Sequence, residues 1–299
     1  MMQGVHAALV TPRRDSGSEI DASAALELVD FACRSGLDGI VLLGTTGEFI
    51  HFDLAERIKL MRLAIKRSTL PVTVNISHSS LGGAVALARE AASCGAAALL
   101  LMPPYFFRYE QAEIEEFYLR FAAEAGVSLP VLLYNMPAVT TPLELDTLLR
   151  LLATGRFVGV KDSSGRMDEF RRMKAARTQT PFVILIGDDR IYTEARLEGA
   201  DGLISGVAST LPELLVGLAN AISSNAIQKR DRLEARLHEF IAWSVRFPFP
   251  LALKESASLR GLKMGAPACP LAPATSARLE QFREWFQGWL PVVLEEARG

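Results

Sequence analysis

Cysteine is scarce in this chain: Cys33, Cys94 and Cys269 are the only three in 299 residues, and none stands in a CxxC pair or at Cys/His ligand spacing. That excludes a disulfide scaffold or a zinc ribbon and leaves three buried small hydrophobes in a reducing compartment as the expectation. An excess of charge of either sign is also missing. Lys plus Arg is 32 against 34 for Asp plus Glu, a formal net charge of −2, so no global basicity argues for nucleic acid or an anionic membrane surface. The apolar run at 96–104 is too short to span a bilayer as a helix. The first apolar segment, residues 5–12, is not preceded by a basic start, an apolar run and a small-residue cleavage site, and a cytoplasmic protein is expected. No Gly-x-Gly-x-x-Gly follows any strand-like run; Gly44-Thr45-Thr46-Gly47 does not fit that spacing, which argues against a doubly wound dinucleotide fold.

What is present is a regular alternation. Short apolar runs occupy residues 5–12, 39–47, 71–78, 96–104, 130–137, 157–164, 182–189 and 202–209. Most are rich in Val, Ile and Leu without polar alternation, as parallel strands buried on both faces require. Between them lie amphipathic segments. Residues 21–35 put Ala22, Ala25, Leu26, Val29 and Cys33 on one stripe, with Gly36 as a stop. Asp53 with Glu56 makes a capping pattern before residues 57–67, Pro142 is placed to start a helix, and Gly155 follows that helix's end. Eight strand–helix units predict a (β/α)8 TIM barrel over residues 1–225. A C-terminal helical extension over 226–299 is expected to hold about three helices, near 227–246, 251–262 and 276–296. Hydrophobic residues at 49% and charged residues at 22% suit a globular enzyme able to bury a large core.

In such a barrel the chemistry sits at the carboxyl ends of the strands. Residues 157–164 end in Val160-Lys161-Asp162-Ser163-Ser164. With a period of two, Gly159, Lys161 and Ser163 face the barrel axis if Val158 and Val160 face the helices. A lysine there has little water to solvate its ammonium, which favours the neutral amine that Schiff-base chemistry uses. A rim lysine snorkelling to solvent, or one paired with Asp162, fits the strand pattern equally well. Tyr134 ends an earlier run on the face of Leu132 and Met136, as a proton relay or as a core aromatic with a satisfied hydroxyl. Gly44-Thr45-Thr46-Gly47-Glu48 forms a tight turn, able to hold a carboxylate or merely to reverse the chain. Gly187-Asp188-Asp189-Arg190 either contacts substrate hydroxyls or caps the next helix, and His78 reaches the barrel mouth or serves structure. His6, His51 and His238 form no evident constellation with acids or cysteines, so no metal is expected.

Taken together, these residues resemble the dihydrodipicolinate synthase/N-acetylneuraminate lyase family. The resemblance runs through Leu9-Val10-Thr11-Pro12, Gly44-Thr45-Thr46-Gly47-Glu48, Pro103-Pro104-Tyr105, Tyr134-Asn135-Met136-Pro137, Gly159-Val160-Lys161-Asp162 and Gly187-Asp188-Asp189, in order along nearly the whole chain. It implies a class I aldolase or lyase in which Lys161 attacks the ketone of pyruvate or another 2-oxo acid. Tyr134 would be the general acid/base, and Thr45 and Thr46 would bind the substrate carboxylate and join the tyrosine's relay. Gly187 and Ile204 match positions lining the lysine pocket, and Asp189 matches a polyol-contacting acid of the sialate lyases. The resemblance further implies no separate cofactor and a homotetramer built as a dimer of dimers, with Tyr105 and Phe106 near the tight contact.

Two positions depart from the family's patterns. Val139 stands where dihydrodipicolinate-forming members carry an arginine, and Phe106 stands where many carry a second tyrosine. The expected activity is therefore that of a Schiff-base-forming lyase or aldolase acting on pyruvate or a 2-oxo (sugar) acid, cleaving or forming a C–C bond, or dehydrating a 2-keto-3-deoxy sugar acid. Dihydrodipicolinate synthase proper and a catalytically weak regulatory homologue are the alternatives. An enzyme of phosphorylated sugars would need a glycine-rich cradle after the last strands, and Ser205-Gly206-Val207-Ala208-Ser209 makes a poor one.

Overall fold

Each of the eight apolar runs holds a strand. The computed structural model describes residues 2–14, 17–178 and 180–298. In it β1 (Gly4–Ala8), β2 (Gly39–Leu42), β3 (Val72–Asn75), β4 (Ala98–Leu101), β5 (Val131–Asn135), β6 (Gly159–Asp162), β7 (Val183–Ile186) and β8 (Gly202–Ser205) make a closed parallel barrel in sequence order. Helices α1 (Ala22–Cys33), α2 (Leu54–Arg67), α3 (Leu81–Ser93), α4 (Gln111–Ala125), α5 (Leu145–Ala153), α6 (Met167–Ala176), α7 (Tyr192–Leu197) and α8 (Pro212–Ser223) follow the strands in turn. Three more close the chain: α9 (Ile227–Ser244), α10 (Leu251–Leu259) and α11 (Pro273–Arg298). This is the (β/α)8 fold with helical extension read from the sequence. The strands are shorter than the apolar runs because the last residues of each run leave the ladder and form the loops at its carboxyl end. No helix among the described residues is long and apolar enough to cross a membrane.

By its contacts the chain gathers into two compact units. The first comprises Met1–Gly4 and Pro71–Ile204. Within it β5 and β6 run in a register that sets Tyr134 opposite Lys161 and Asn135 opposite Asp162. The strands carry fully buried apolar residues such as Leu99, Leu132, Val160 and Ile184, the pattern that coverage on both faces demands. The buried Tyr118 hydroxyl donates to the Leu101 carbonyl at 2.9 Å, and burial holds its phenol well above the usual range. Outside, ion pairs tie neighbouring helices, as Arg150 of α5 does with Glu115 of α4 at 2.7 Å.

The second unit comprises Val5–Leu70 and Ser205–Gly299. Here α1 and α2 start where the sequence indicates: the Asp21 carboxylate accepts from Ala24 N at 3.2 Å, and that of Asp53 from Glu56 N at 2.8 Å. Its helical end is held by an aromatic core in which Phe240 stacks on Trp289 at 5.9 Å and meets Phe282 and Phe286 edge-on.

Three expectations need correction. Pro142 does not start α5, which begins at Leu145 with Glu144 as its cap residue; the proline instead lies in the loop leading to it. The cysteines are not buried: Cys33 and Cys94 are half-buried and Cys269 is exposed. His51 does meet an acid, its Nδ1 lying 3.5 Å from Glu48, a contact set by a turn too local for ligand spacing to reveal.

Candidate active site

Lys161 is buried at 4% exposure in the last turn of β6, with its Nζ 4.3 Å from the centroid of the Tyr134 ring on β5. The parity read from the sequence holds. Tyr134 and Lys161 share one face, and the Tyr134 hydroxyl lies 3.6 Å from Met136 Sδ on that face. The next residue on each strand turns the other way. Asn135 Nδ2 donates to Asp162 Oδ1 at 2.6 Å, and Ser164 Oγ donates to Asp162 Oδ2 at 2.6 Å. Desolvation raises the Asp162 carboxyl above its ordinary value, and the Ser164 and Asn135 hydrogen bonds oppose that shift. The sequence-adjacent acid is thus engaged on the far side of the strand. Among the described residues Lys161 makes no salt bridge, so the reading that pairs it with Asp162 falls.

Gly187, after β7, stands against Lys161 and Ser163. A Cβ built on it would fall on Ser163 Oγ and stand 2.8 Å from Lys161 Cε. Glycine is required there so that the lysine stem and the serine hydroxyl fit beside the backbone. Among the described residues Ser163 Oγ is buried without a hydrogen-bond partner, a donor and acceptor left open on the lysine's face. Ile204 is buried in β8. The Asp188 carboxylate accepts from Arg190 N at 3.0 Å and from Arg190 Nε at 2.9 Å, so this stretch does cap the turn that follows. The Arg190 guanidinium lowers the Asp188 carboxyl against the desolvation that would raise it. His78 Nδ1 takes the Ser80 backbone N–H at 3.0 Å, a structural engagement at the start of α3.

The turn after β2 lies in the second unit. Thr46 is buried and Thr45 half-buried. Thr11 Oγ1 donates to the Gly47 carbonyl at 2.7 Å, and Glu48 N donates to the Thr45 carbonyl at 3.0 Å. A Cβ on Gly206 would meet Thr46 Oγ1 at 3.0 Å and Leu253 Cδ1 at 3.1 Å. Sequence reasoning did not assign the acid of this turn a partner. The Glu48 carboxylate is held by Lys254 Nζ at 2.8 Å and by Arg13 at 3.3 Å, with all three side chains buried. Desolvation lowers the Lys254 ammonium's pKa, and Glu48 opposes the shift. Lys254 is 206 positions from Glu48, a separation at which only the fold can reveal the pair.

The closed parallel barrel sets a buried amine on β6 against a tyrosine ring on β5, and the protein is a lyase of the class I aldolase type. The chain belongs to the dihydrodipicolinate synthetase family, whose model matches residues 1–287. A 4-hydroxy-tetrahydrodipicolinate synthase of Methanothrix thermoacetophila is 29% identical over 285 residues, covering 95% of this chain and 96% of its own. The crystal structure of dihydrodipicolinate synthase from Aquifex aeolicus superposes with a TM-score of 0.88 at 25% identity, covering 96% of this chain and 98% of that one. Ruminococcus gnavus sialic acid aldolase shares the fold, with a TM-score of 0.88 at 20% identity over 98% of this chain and 99% of its own.

Proposed function

We propose that Lys161 is the nucleophile and that the substrate is a 2-keto-3-deoxy sugar acid or its cleavage product pyruvate. The observation that carries this is the buried Lys161 amine 4.3 Å from the Tyr134 ring centroid, without a carboxylate partner among the described residues. The neutral amine adds to the ketone, and loss of water from the carbinolamine gives an iminium. The iminium withdraws electrons from the adjacent carbon and so allows a C–C bond to form or break there, or water to leave. Tyr134 supplies and removes the protons these steps need, with Thr46 in its relay. Thr45 and Thr46 take the carboxylate. Ser163, whose hydroxyl lacks a partner in the pocket, and Asp189 meet the distal hydroxyls, while Gly187 and Ile204 shape the wall around the lysine. Residues 1–225 form the catalytic barrel and 226–299 its helical support. The working form is a homotetramer in a cytoplasmic setting. Phe106 and Phe107, 87% and 64% exposed and packed edge-to-face at 4.9 Å, are apolar anchors suited to its tight contact. Light scattering at micromolar concentration should report the tetramer, and a monomer would contradict it.

The preference for a sugar acid over aspartate semialdehyde rests on Val139, which is 45% exposed and offers no charge to a second carboxylate. Arg190, a cation that also follows a strand end, is committed to Asp188. A substrate screen over 2-keto-3-deoxy sugar acids, sialate and 4-hydroxy-2-oxoglutarate, read by pyruvate release or 2-oxo acid formation, tests the proposal. Turnover of a sugar acid is expected. Efficient condensation of pyruvate with aspartate semialdehyde, above about 10⁴ M⁻¹s⁻¹, would contradict it.

A further inference from the structure

The turn that carries Thr45 and Thr46 is bracketed by two left-handed residues that are not glycine, Leu43 at φ 56° and Glu48 at φ 53°. Side chains occupy that region only where the surroundings over-determine it. Around Glu48 they do. Lys254, 5% exposed on α10, grips Oε2 at 2.8 Å, and Arg13, 2% exposed after β1, grips Oε1 at 3.3 Å. Arg13 is itself fixed by Nη1 to the Gly17 carbonyl at 3.0 Å, by Nη2 to His51 Nδ1 at 2.7 Å and by its position over the Phe52 ring at 4.5 Å. Leu253, the residue before Lys254, comes to the same point beside Gly206 as Thr46 does. One helix thus holds the turn by an ion pair at Glu48 and brings Leu253 to the point beside Gly206 that Thr46 also reaches.

We propose that Lys254, acting through Glu48, is a positioning residue that holds the strained turn at 43–48 in the shape that presents Thr45 and Thr46 to the carboxylate of the 2-oxo acid. This rests on the reading of Lys161 and the two threonines given above. It assigns a reaction role to a lysine that does not touch the substrate. Truncating it should weaken ground-state binding of the carboxylate far more than it slows the amine chemistry.

The experiment uses the full chain and pyruvate, with borohydride trapping followed as a function of pyruvate concentration. In the unchanged protein the adduct maps to Lys161. For Lys254→Met, half-saturation should rise about tenfold or more while the limiting trapping rate stays within about threefold. Glu48→Gln should show the same split, and the double variant should add little to either, because both act through one contact. Lys254→Arg, which keeps the charge, should restore half-saturation to within about threefold of the original. Unchanged half-saturation in Lys254→Met, or a loss confined to the limiting rate, would overturn the proposal while leaving Lys161 in place. Failure of Lys254→Met, Lys254→Gln and Glu48→Gln all to fold would overturn it too, by showing that the cluster serves stability alone. Absence of an adduct on Lys161 in the unchanged protein would instead refute the parent reading.

Discussion

Among the described residues two lysines are buried, at nearly the same exposure, and their surroundings are opposite. Lys254 faces a carboxylate at 2.8 Å, shared with a buried arginine. Lys161 faces the flat of a tyrosine ring, and the acid next to it in sequence is turned away and occupied by Asn135 and Ser164. Burial alone does not make a lysine reactive. A buried cation with a matched anion is a structural tie whose removal strands the partner charge. A buried amine set against a ring, with no carboxylate bound to it among the described residues, leaves its nitrogen available for nucleophilic attack. The distinction lies in strand parity: Lys161 and Asp162 are adjacent but point to opposite faces of β6.

The sharpest way to break this comparison is to exchange the consequences of the two lysines. Lys161→Ala should lose about 10⁴-fold or more in kcat/KM on the true substrate while keeping its melting temperature or gaining slightly, since an unpaired buried amine is removed. Lys254→Met should do the reverse in stability, losing about 1–3 kcal/mol because Glu48 loses its shortest ion pair and keeps only the longer contacts with Arg13 and His51. For a chain of this size that is a fall of roughly 2–4 °C per kcal/mol. Calorimetry beside steady-state kinetics reads both, and a Lys161 variant that melts lower but still turns over would collapse the distinction.

Next in size is Tyr134→Phe, which keeps the ring against the amine and removes only the hydroxyl. It should reduce turnover by about a hundredfold or more; near-normal kcat on the true substrate would remove Tyr134 from the proton relay. A gain of function follows in magnitude. Val139→Arg should raise condensation of pyruvate with aspartate semialdehyde by about 30-fold, the low end expected for a desolvated charge pair. No gain would show that the second carboxylate is held elsewhere.

The smallest effect concerns the far side of β6. The Asp162 carboxyl is raised above its ordinary value, chiefly by burial. A raised folded-state value means that stability from this group is fully present below the usual carboxylate range of about 4 and is lost as pH rises through the raised value. Asp162→Asn preserves the acceptor for Asn135 and cannot ionise. Relative to the unchanged protein it should therefore be more stable at pH 7 than at pH 4, with activity changed by no more than about threefold. A stability difference independent of pH would show that Asp162 does not titrate between these limits.

The barrel was legible because its signals are local and repeated. Eight runs rich in Val, Ile and Leu, separated by capped amphipathic segments, leave few alternatives, and parity along residues 157–164 and 130–137 put Lys161 and Tyr134 on one face. What stayed hidden depends on residues far apart in the chain or on loop geometry. The Glu48–Lys254 tie joins a strand-end turn to a helix in the C-terminal extension. The contact of His51 with Arg13 and Glu48 follows from a left-handed residue at Glu48 that no spacing rule predicts. Pro142 shows the converse: its helix-start preference was outweighed by the loop that carries the chain to Glu144. In the pocket, Ser163 could be found from parity, but the need for glycine at 187 emerges only when the two loop ends stand together.

Of the two buried lysines, only Lys161, which has no anion against it among the described residues, should react. Incubation with pyruvate and borohydride, followed by peptide mass mapping of every lysine, tests this directly. A reduced pyruvate adduct is expected on Lys161 and none on Lys254. An adduct on Lys254, or an unmodified Lys161 at saturating pyruvate, would contradict it.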